Sequence, residues 1–210
     1  MIENEYADLG SVTREAQEIY NRSRSYIARV VGNETPEDRI RQRCVIATGD
    51  VNVADMMRFK NDPLNAGLKA LEKGAGIYAD IKMVEAGVVK KGHQSKVTIF
   101  LGKGDDIAEE KGVTRASAGV MKLKDELDGS IVLIGNAPSA LLALCGLMEE
   151  GALKPDLVIG VPVGFVNAAE SKERLRRTDV PSISIVGTRG GTPIAVASIN
   201  EIINMYQENM

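Results

Sequence analysis

Histidine, cysteine and tryptophan are scarce in this 210-residue sequence, which contains one, two and none of them. The two cysteines, Cys44 and Cys145, lie far apart among apolar residues, so we expect buried free thiols rather than a disulfide or a nucleophile. One histidine, His93, and two distant cysteines cannot assemble the soft ligands of a typical zinc site. The sequence therefore predicts no metal site.

Long apolar runs and a surplus of positive charge are also missing. The longest apolar stretch, residues 137–148, is shorter than the ~20 residues that a membrane-spanning helix needs. Residues 1–10 lack the basic and apolar pattern of a signal peptide. A net charge of −3 argues against a general nucleic-acid binder, although local positive charge can still attract a small anion. We expect a cytoplasmic protein with no membrane and no nucleic-acid partner.

Helix signals fill the first half of the chain. A first helix is predicted over residues 13–31. Thr35 and Pro36 combine a capping side chain with a proline at the first helical position, which predicts the start of a second helix. Asp62 and Pro63 predict a third helix in the same way.

Strands and helices alternate in the second half. Strands are predicted over residues 97–101, 130–134, 157–159 and 182–186, and helices begin at Thr114, Pro138, Asn167 and Thr192, with a capping box between Asn167 and Glu170. Strands that are apolar throughout belong to parallel sheets covered on both faces. We therefore predict one α/β domain over residues 1–210, with three α/β/α layers around a mainly parallel, twisted sheet.

Three glycine-containing loops follow these strands and precede helices. They read GNAPS at 135–139, GVPVGFVNAAESK at 160–172 and GTRGGT at 187–192. Right-handed crossovers place such loops at the carboxyl edge of the sheet, where ligands bind in folds of this kind. Free amides at the helix starts, with Lys172 and Arg189, suit a ligand that carries several carboxylates or phosphates. Taken alone, each glycine is equally explained by a tight turn.

Nucleotide-binding motifs are not found. Residues 87–93 read GVVKKGH, which lacks the Lys–Ser/Thr ending of a phosphate-binding loop and does not follow a clear strand. No G-x-G-x-x-G follows a strand either. His93 lies in a loop with several lysines, so we expect a solvated side chain and no catalytic role.

Longer segments of the chain match a known pattern. These are IYNRS at 19–23, ADIKMVEAG at 79–87, TRASA at 114–118, IGNAPSALLAL at 134–144, PDLVIGVPVGFVNAAESK at 155–172 and GTRGGT at 187–192. In them the chain resembles the precorrin-8X methylmutase family of cobalamin biosynthesis. The resemblance implies a homodimeric α/β isomerase that needs no added cofactor. Such an enzyme moves a methyl group from C-11 to C-12 of a corrin precursor, giving hydrogenobyrinate or its cobalt counterpart, and the many carboxylates of that precursor suit the loops above.

One position departs from the family pattern. The family's catalytic histidine lies in a segment of the form R-x-I-H-T-T-G-D, whereas residues 43–50 read RCVIATGD. Ile46 therefore stands at the histidine position, and the catalytic residue is unknown. Histidine suits general acid catalysis because its pKa lies near the working pH, whereas isoleucine can neither donate nor accept a proton.

The resemblance and the loops together assign a set of residues to substrate binding. They are Ser23, Arg43, Thr48, Asp50, Arg115, Gly135, Asn136, Gly164, Phe165, Glu170, Ser171, Lys172, Arg189, Gly190 and Gly191. The arginines are expected to pair with substrate carboxylates, for which the guanidinium fork is suited. The alternative for Arg43 is a surface ion pair on its helix, and the alternative for Arg115 is capping chemistry beside Thr114.

Two functional hypotheses follow, and a third, a nucleotide-dependent enzyme of doubly wound fold, rests on fold analogy alone. The first is an active methylmutase that catalyses by positioning its substrate. The second is a catalytically impaired relative that binds a corrinoid or another tetrapyrrole without isomerising it, and Ile46 is the reason to consider it.

Overall fold

The computed structural model describes residues 13–210, and these contain six strands and eleven helices. The strands are β1 (Met57–Lys60), β2 (Ile77–Ala79), β3 (Val97–Ile99), β4 (Ile131–Ile134), β5 (Leu157–Gly160) and β6 (Ser182–Ile185). The helices are α1 (Arg14–Val31), α2 (Pro36–Thr48), α3 (Asn52–Met56), α4 (Pro63–Glu72), α5 (Lys82–Gly87), α6 (Asp105–Lys111), α7 (Arg115–Lys122), α8 (Lys124–Leu127), α9 (Pro138–Glu149), α10 (Ala168–Arg176) and α11 (Thr192–Glu208).

The six strands form one sheet in the order β1-β6-β5-β4-β2-β3. β1 runs antiparallel to β6, and every other neighbouring pair is parallel. The predicted mainly parallel sheet is therefore confirmed, with one antiparallel strand at its edge. β1 and β2 were not predicted from the sequence.

Helices cover both faces of the sheet, as predicted. Ile131 and Leu133 of β4 pack on one face, and Val132 and Ile134 pack on the other, because successive strand side chains alternate. The first face is covered by α2, α4, α5 and α11, and the second by α7, α9 and α10. All four β4 side chains are fully buried, and each such burial stabilises the fold by roughly 1.5–3 kcal/mol.

The predicted helix starts are confirmed in position but not always in mechanism. Thr35 forms a complete capping box with Asp38 at the start of α2. Asp62 and Asn167, by contrast, adopt left-handed backbone angles (φ 54° and 61°), and neither side chain caps its helix. The predicted capping box between Asn167 and Glu170 is therefore wrong, because the left-handed backbone turns the Asn167 side chain away from the helix amides.

The strand order changes direction between β2 and β4. β2 leads into α5 on one face of the sheet, whereas β4 leads into α9 on the other face. Connections that leave neighbouring strands towards opposite faces open a crevice at the carboxyl edge, and α/β folds bind ligands there. Asp80 directly follows β2 and Gly135 directly follows β4. The fold thus places the GNAPS loop at this crevice.

Candidate active site

The loops after β5 and β6 are joined by backbone hydrogen bonds. The Gly191 amide donates to the Val161 carbonyl (2.8 Å), and the Gly164 amide donates to the Thr188 carbonyl (3.0 Å). Gly190 has a positive φ of 157°, and a Cβ there would collide with the carbonyl oxygen of Val161. Glycine is required at this position because the two loops approach so closely.

Arg189 connects these loops to the end of α2. Its guanidinium forms an ion pair with Asp50, which also accepts hydrogen bonds from the side-chain amide (2.8 Å) and the backbone amide (3.0 Å) of Asn52. The hydrogen bonds from Asn52, together with the charge of Arg189, lower the pKa of Asp50. Thr48 is exposed at the same helix end. Three of the predicted site residues therefore lie together at the carboxyl edge.

Arg115 lies at the same edge, at the start of α7. Its Nε and Nη2 donate to the two carboxylate oxygens of Asp105, at 2.9 and 2.8 Å. The hydroxyl of Thr114, which caps α7, lies 2.8 Å from the hydroxyl of Ser139 in the GNAPS loop. This contact joins the start of α7 to the start of α9. Arg115 and Asn136 consequently lie on the same edge of the sheet.

Asp80 was missed by the sequence analysis. It is fully buried, and one carboxylate oxygen accepts hydrogen bonds from the amides of Asn136 (2.6 Å) and Ala137 (2.9 Å). Burial raises the pKa of Asp80, and the amides that point at its carboxylate oppose that rise. The expectation that the GNAPS amides are free for a ligand is therefore wrong at Asn136 and Ala137, because the chain's own carboxylate holds both.

Lys172 lies beneath the loop that carries Arg189. Its side chain is fully buried, and Nζ donates a hydrogen bond to the Arg189 carbonyl oxygen at 2.5 Å. Burial, assisted by the positive charge of Arg176, lowers the pKa of Lys172 to about 8. In this chain Lys172 supports the loop from below, and its direct contact with a substrate stays a prediction.

The Lys172→Met variant is expected to lose the increase in unfolding free energy that the parent shows between neutral and alkaline pH. Because the pKa of Lys172 is about 8 in the folded chain and higher when unfolded, the unfolded state binds more protons above pH 8. The parent should therefore gain roughly 1–2 kcal/mol of unfolding free energy between pH 7.5 and 9.5, relative to the variant. Urea denaturation at the two pH values measures this difference. Equal pH responses of parent and variant would show that the Lys172 ammonium is not desolvated.

A buried ionic cluster occupies the interface between α1, α2 and α11. Glu201 is fully buried and binds three arginines: Arg24 at 2.8 Å, Arg39 at 2.9 Å and Arg43 at 3.2 Å. Arg43 also donates to the Tyr20 hydroxyl at 3.1 Å. Arg43 is therefore in an ion pair, but its partner is buried and lies on α11, so it is not the surface pair on its own helix that was the alternative.

This cluster lies apart from the loops of the carboxyl edge. Glu201 is nine residues beyond Thr192, the first residue of α11, which corresponds to ~13 Å along the helix axis. Ser23, beside Arg24 on α1, is half-buried at the same level. Ser23 and Arg43 therefore lie at the interface of α1, α2 and α11, and their contact with a substrate stays a prediction.

The remaining site residues lie in or under the edge loops. Phe165 is 94% exposed, Glu170 is exposed beside a groove of about 740 Å³ along α10, and Asn136 presents its side chain to solvent. Ser171 is buried and donates to the Ala168 carbonyl (3.1 Å). The predicted substrate-binding residues therefore include exposed side chains, which a ligand can contact, and buried side chains, which support the loops.

The histidine and the cysteines are engaged in the fold. Nε2 of His93 lies 2.7 Å from the Val89 carbonyl, and Nδ1 accepts from the Ser95 amide at 3.1 Å, so the prediction of a solvated side chain is wrong. Cys44 and Cys145 are buried free thiols, as predicted, and burial raises the pKa of each to about 12. Within residues 13–210, no group of three His, Cys, Asp or Glu side chains could hold a metal ion. Among the helices of residues 13–210, none is long and apolar enough to cross a membrane.

Comparison with known proteins shows which family has this arrangement. The sequence model of the CbiC family, described as precorrin-8X methylmutase, matches residues 18–205. The chain belongs to this family. It is 41% identical to the cobalt-precorrin-8 methylmutase of Methanocaldococcus jannaschii, over 96% of this chain and 99% of that protein. It is 39% identical to the cobalt-precorrin-8 methylmutase of Priestia megaterium, over 91% and 88% of the two chains.

A solved structure of the family has the same fold. The precorrin-8X methylmutase from Thermus thermophilus superposes with a TM-score of 0.84 at 33% identity, covering 92% of this chain and 97% of that one. The three-layer fold predicted from the sequence is therefore the fold of a precorrin-8X methylmutase.

Ile46 is the residue that the resemblance places at the family's histidine position, and that assignment stays a prediction. It is in the last turn of α2 and is half-buried against the core between the sheet and helices α2, α4, α5 and α11. Thr48, two residues further on, donates its hydroxyl hydrogen to the Cys44 carbonyl (2.8 Å). The helix end is thus well ordered by hydrogen bonds, but position 46 presents only hydrocarbon.

Proposed function

We propose that the chain is a methylmutase that moves a methyl group from C-11 to C-12 of precorrin-8X or cobalt-precorrin-8. The product is hydrogenobyrinate or cobyrinate, respectively. The observation that carries the proposal is the placement of Arg115 and Arg189 at the same edge of the sheet, in a chain that belongs to this family. Every atom of the substrate is retained in the product, so the reaction requires no second methyl donor.

The two edge arginines suit a substrate that carries many carboxylates. Each is already paired with an aspartate, Asp105 or Asp50, and the arginine side chains are 62% and 53% exposed. Exposed ion pairs contribute only ~0–1 kcal/mol, so a substrate carboxylate can replace either aspartate with little loss. The exchange preserves the fork geometry that guanidinium and carboxylate groups share.

Catalysis in this chain relies on positioning. Migration of the methyl group is assisted when an acid protonates a ring nitrogen and draws electron density from the migrating centre. Ile46 cannot supply that proton. The edge loops and arginines can still fix the macrocycle and exclude water around it, and such fixation accelerates reactions without a proton donor.

The working form that we propose is a cytoplasmic homodimer. Support for a second copy comes from an apolar stripe on the outer side of α1, where Ile19, Tyr26 and Val30 are 58%, 68% and 54% exposed. Their spacing of seven and four residues places them on one face of the helix. A contiguous apolar surface of this kind is typical of an interface between proteins.

Ile46 favours a second candidate function. A relative that binds a corrinoid without isomerising it would keep the arginines and lose the proton donor. Incubation of the purified chain with precorrin-8X or its cobalt form, followed by absorption spectroscopy, separates the two functions. A product spectrum supports the methylmutase, whereas tight product binding without turnover supports the binding protein.

The Arg115→Ala variant is expected to bind hydrogenobyrinate about 10–100-fold more weakly than the parent. The bound macrocycle covers Arg115, and a hydrogen bond to a charged group that is shielded from water contributes roughly 1.5–3 kcal/mol, where 1.4 kcal/mol corresponds to tenfold in affinity. Absorption titration of the product measures the dissociation constant. Arg177→Ala is the matched control, since Arg177 is exposed at the end of α10, on the opposite edge of the sheet. Equal weakening by the two variants would indicate a general charge effect and contradict a site at Arg115.

A further inference from the structure

We propose that Asp80 is a positioning residue, an internal carboxylate that fills the anion site at the switch point and thereby holds Asn136 towards the substrate. The proposal rests on the proposed function, which assigns Asn136 to the substrate site. Asp80 itself does not contact solvent, so it acts through the GNAPS loop.

The start of α9 shows why the GNAPS loop needs a carboxylate from elsewhere in the chain. Its N-cap residue is Ala137, which has no side chain that can cap the helix, and Pro138 at the first helical position has no amide hydrogen. The amides of Asn136 and Ala137 would therefore point into a buried crevice without a partner. Asp80 reaches them from the end of β2 at 2.6 and 2.9 Å. It accepts from the amides of the N-cap residue and of the residue before it, whereas an aspartate at the N-cap usually accepts from amides inside the first helical turn.

Tight packing around the GNAPS loop allows Asp80 to fix the position of Asn136. A Cβ on Gly135 would lie 3.0 Å from Val84 Cγ2 and 3.2 Å from the Thr192 amide nitrogen. The loop therefore fits closely between the starts of α5 and α11 and has little freedom to shift alone. Asn136, which follows Gly135 directly, has its amide fixed by Asp80 and its side chain in solvent.

The same arrangement limits what the crevice can bind. Helix starts at a switch point usually hold a phosphate or another anion of the ligand. Here a negative charge of the chain occupies that place, so a second anion would meet both repulsion and occupied amides. The carboxylates of the substrate must then be recognised by Arg115, Arg189 and the exposed side chain of Asn136.

A double-mutant cycle tests the link between Asp80 and Asn136. Asp80→Asn keeps an oxygen that can accept from the two amides but removes the charge that holds them. We expect the dissociation constant for hydrogenobyrinate to rise about tenfold in Asp80→Asn and about tenfold in Asn136→Ala. The double variant should bind hydrogenobyrinate no more weakly than the single variant with the larger loss of affinity, because Asp80 acts through Asn136. Multiplying effects, or unchanged binding in Asp80→Asn, would overturn the proposal.

A formate experiment tests the internal anion without any substrate. Asp80→Ala leaves room for a small carboxylate at the amides, so sodium formate should raise the melting temperature of this variant more than sodium chloride at equal ionic strength. The parent and Asp106→Asn, which alters an exposed aspartate paired with Lys122, should respond equally to both salts. Equal responses of Asp80→Ala to both salts would contradict an anion site there.

The two experiments separate failure of this proposal from failure of the proposed function. If the parent binds no corrinoid, the proposed function is wrong, and the formate response still decides whether Asp80 fills an anion site. If the parent binds hydrogenobyrinate and Asp80→Asn binds it equally well, the function stands and the positioning role is wrong. Urea denaturation of Asp80→Asn confirms that any weaker binding belongs to a folded protein.

Discussion

The Ile46→His variant is expected to isomerise precorrin-8X about 10²–10⁴-fold faster than the parent chain, which is the usual contribution of a general acid. Isoleucine at this position leaves catalysis to the fixation of the macrocycle alone. An imidazolium at the same place adds a proton donor whose pKa lies near neutrality. Single-turnover absorption spectroscopy with excess enzyme measures the rate of the chemical step directly.

The surroundings of position 46 favour a charged imidazole. Ile46 is in the last turn of α2, which ends at Thr48 and is closed by Gly49 in the left-handed conformation. Carbonyl groups at a helix C-terminus stabilise a cation there by roughly 0.3–1 kcal/mol. That stabilisation raises the pKa of a histidine, so a larger share of the imidazole is protonated near neutral pH and can donate a proton. Because Ile46 is only half-buried, the ring can keep its polar edge hydrated.

Ala47→His is the matched control for this experiment. Ala47 is the next residue on the same helix turn and is exposed. It therefore receives the same dipole effect but points about 100° away around the helix. A rate increase in Ile46→His that Ala47→His does not share supports a proton donor at position 46. If Ile46→His is no faster than the parent, the interpretation of position 46 is wrong.

The fold was predictable wherever local signals and burial agreed. The second half alternates apolar strands with capped helices, and β4, α9, β5 and β6 lie within one or two residues of their predicted bounds. β1 and β2 were missed for different reasons. β1 reads MRFK and lies at the sheet edge, so half of its side chains are polar, and β2 has only three residues between a glycine-rich turn and Asp80. Neither segment is long enough to show a periodic pattern.

The candidate site was predictable as a set of loops but not as a set of contacts. Glycine and arginine in the loops marked the carboxyl edge, and the order of the strands brought those loops together. The pairing of Arg189 with Asp50 joins residues 139 positions apart, which no local pattern reveals. Asp80 follows an unpredicted strand and so had no recognisable place. Glu201 did carry a signal, as one of two acidic residues in the otherwise neutral α11.

Removal of the Glu201 carboxylate is expected to destabilise the chain strongly. Glu201→Ala should lower the free energy of unfolding by about 3–5 kcal/mol, because it leaves a fully buried Arg24 without the carboxylate that now lies 2.8 Å from its guanidinium. Two further arginines, Arg39 and Arg43, lose the same partner. Urea denaturation measures the loss, and the exposed pair gives the control: Asp105→Ala should cost less than ~1 kcal/mol.

The ionic cluster around Glu201 also affects the proposed active site, because it helps to hold α2 in place. The helix that carries position 46 is held against α11 by apolar packing and by Glu201, so the variant should also remove one of the contacts that fix Arg43. Glu201→Gln keeps the volume and one hydrogen-bond acceptor, and its loss of stability should fall between those of Glu201→Ala and the parent. A loss below 1 kcal/mol in Glu201→Ala would mean that other groups neutralise the arginines. The cluster would then be a consequence of helix packing and not its cause.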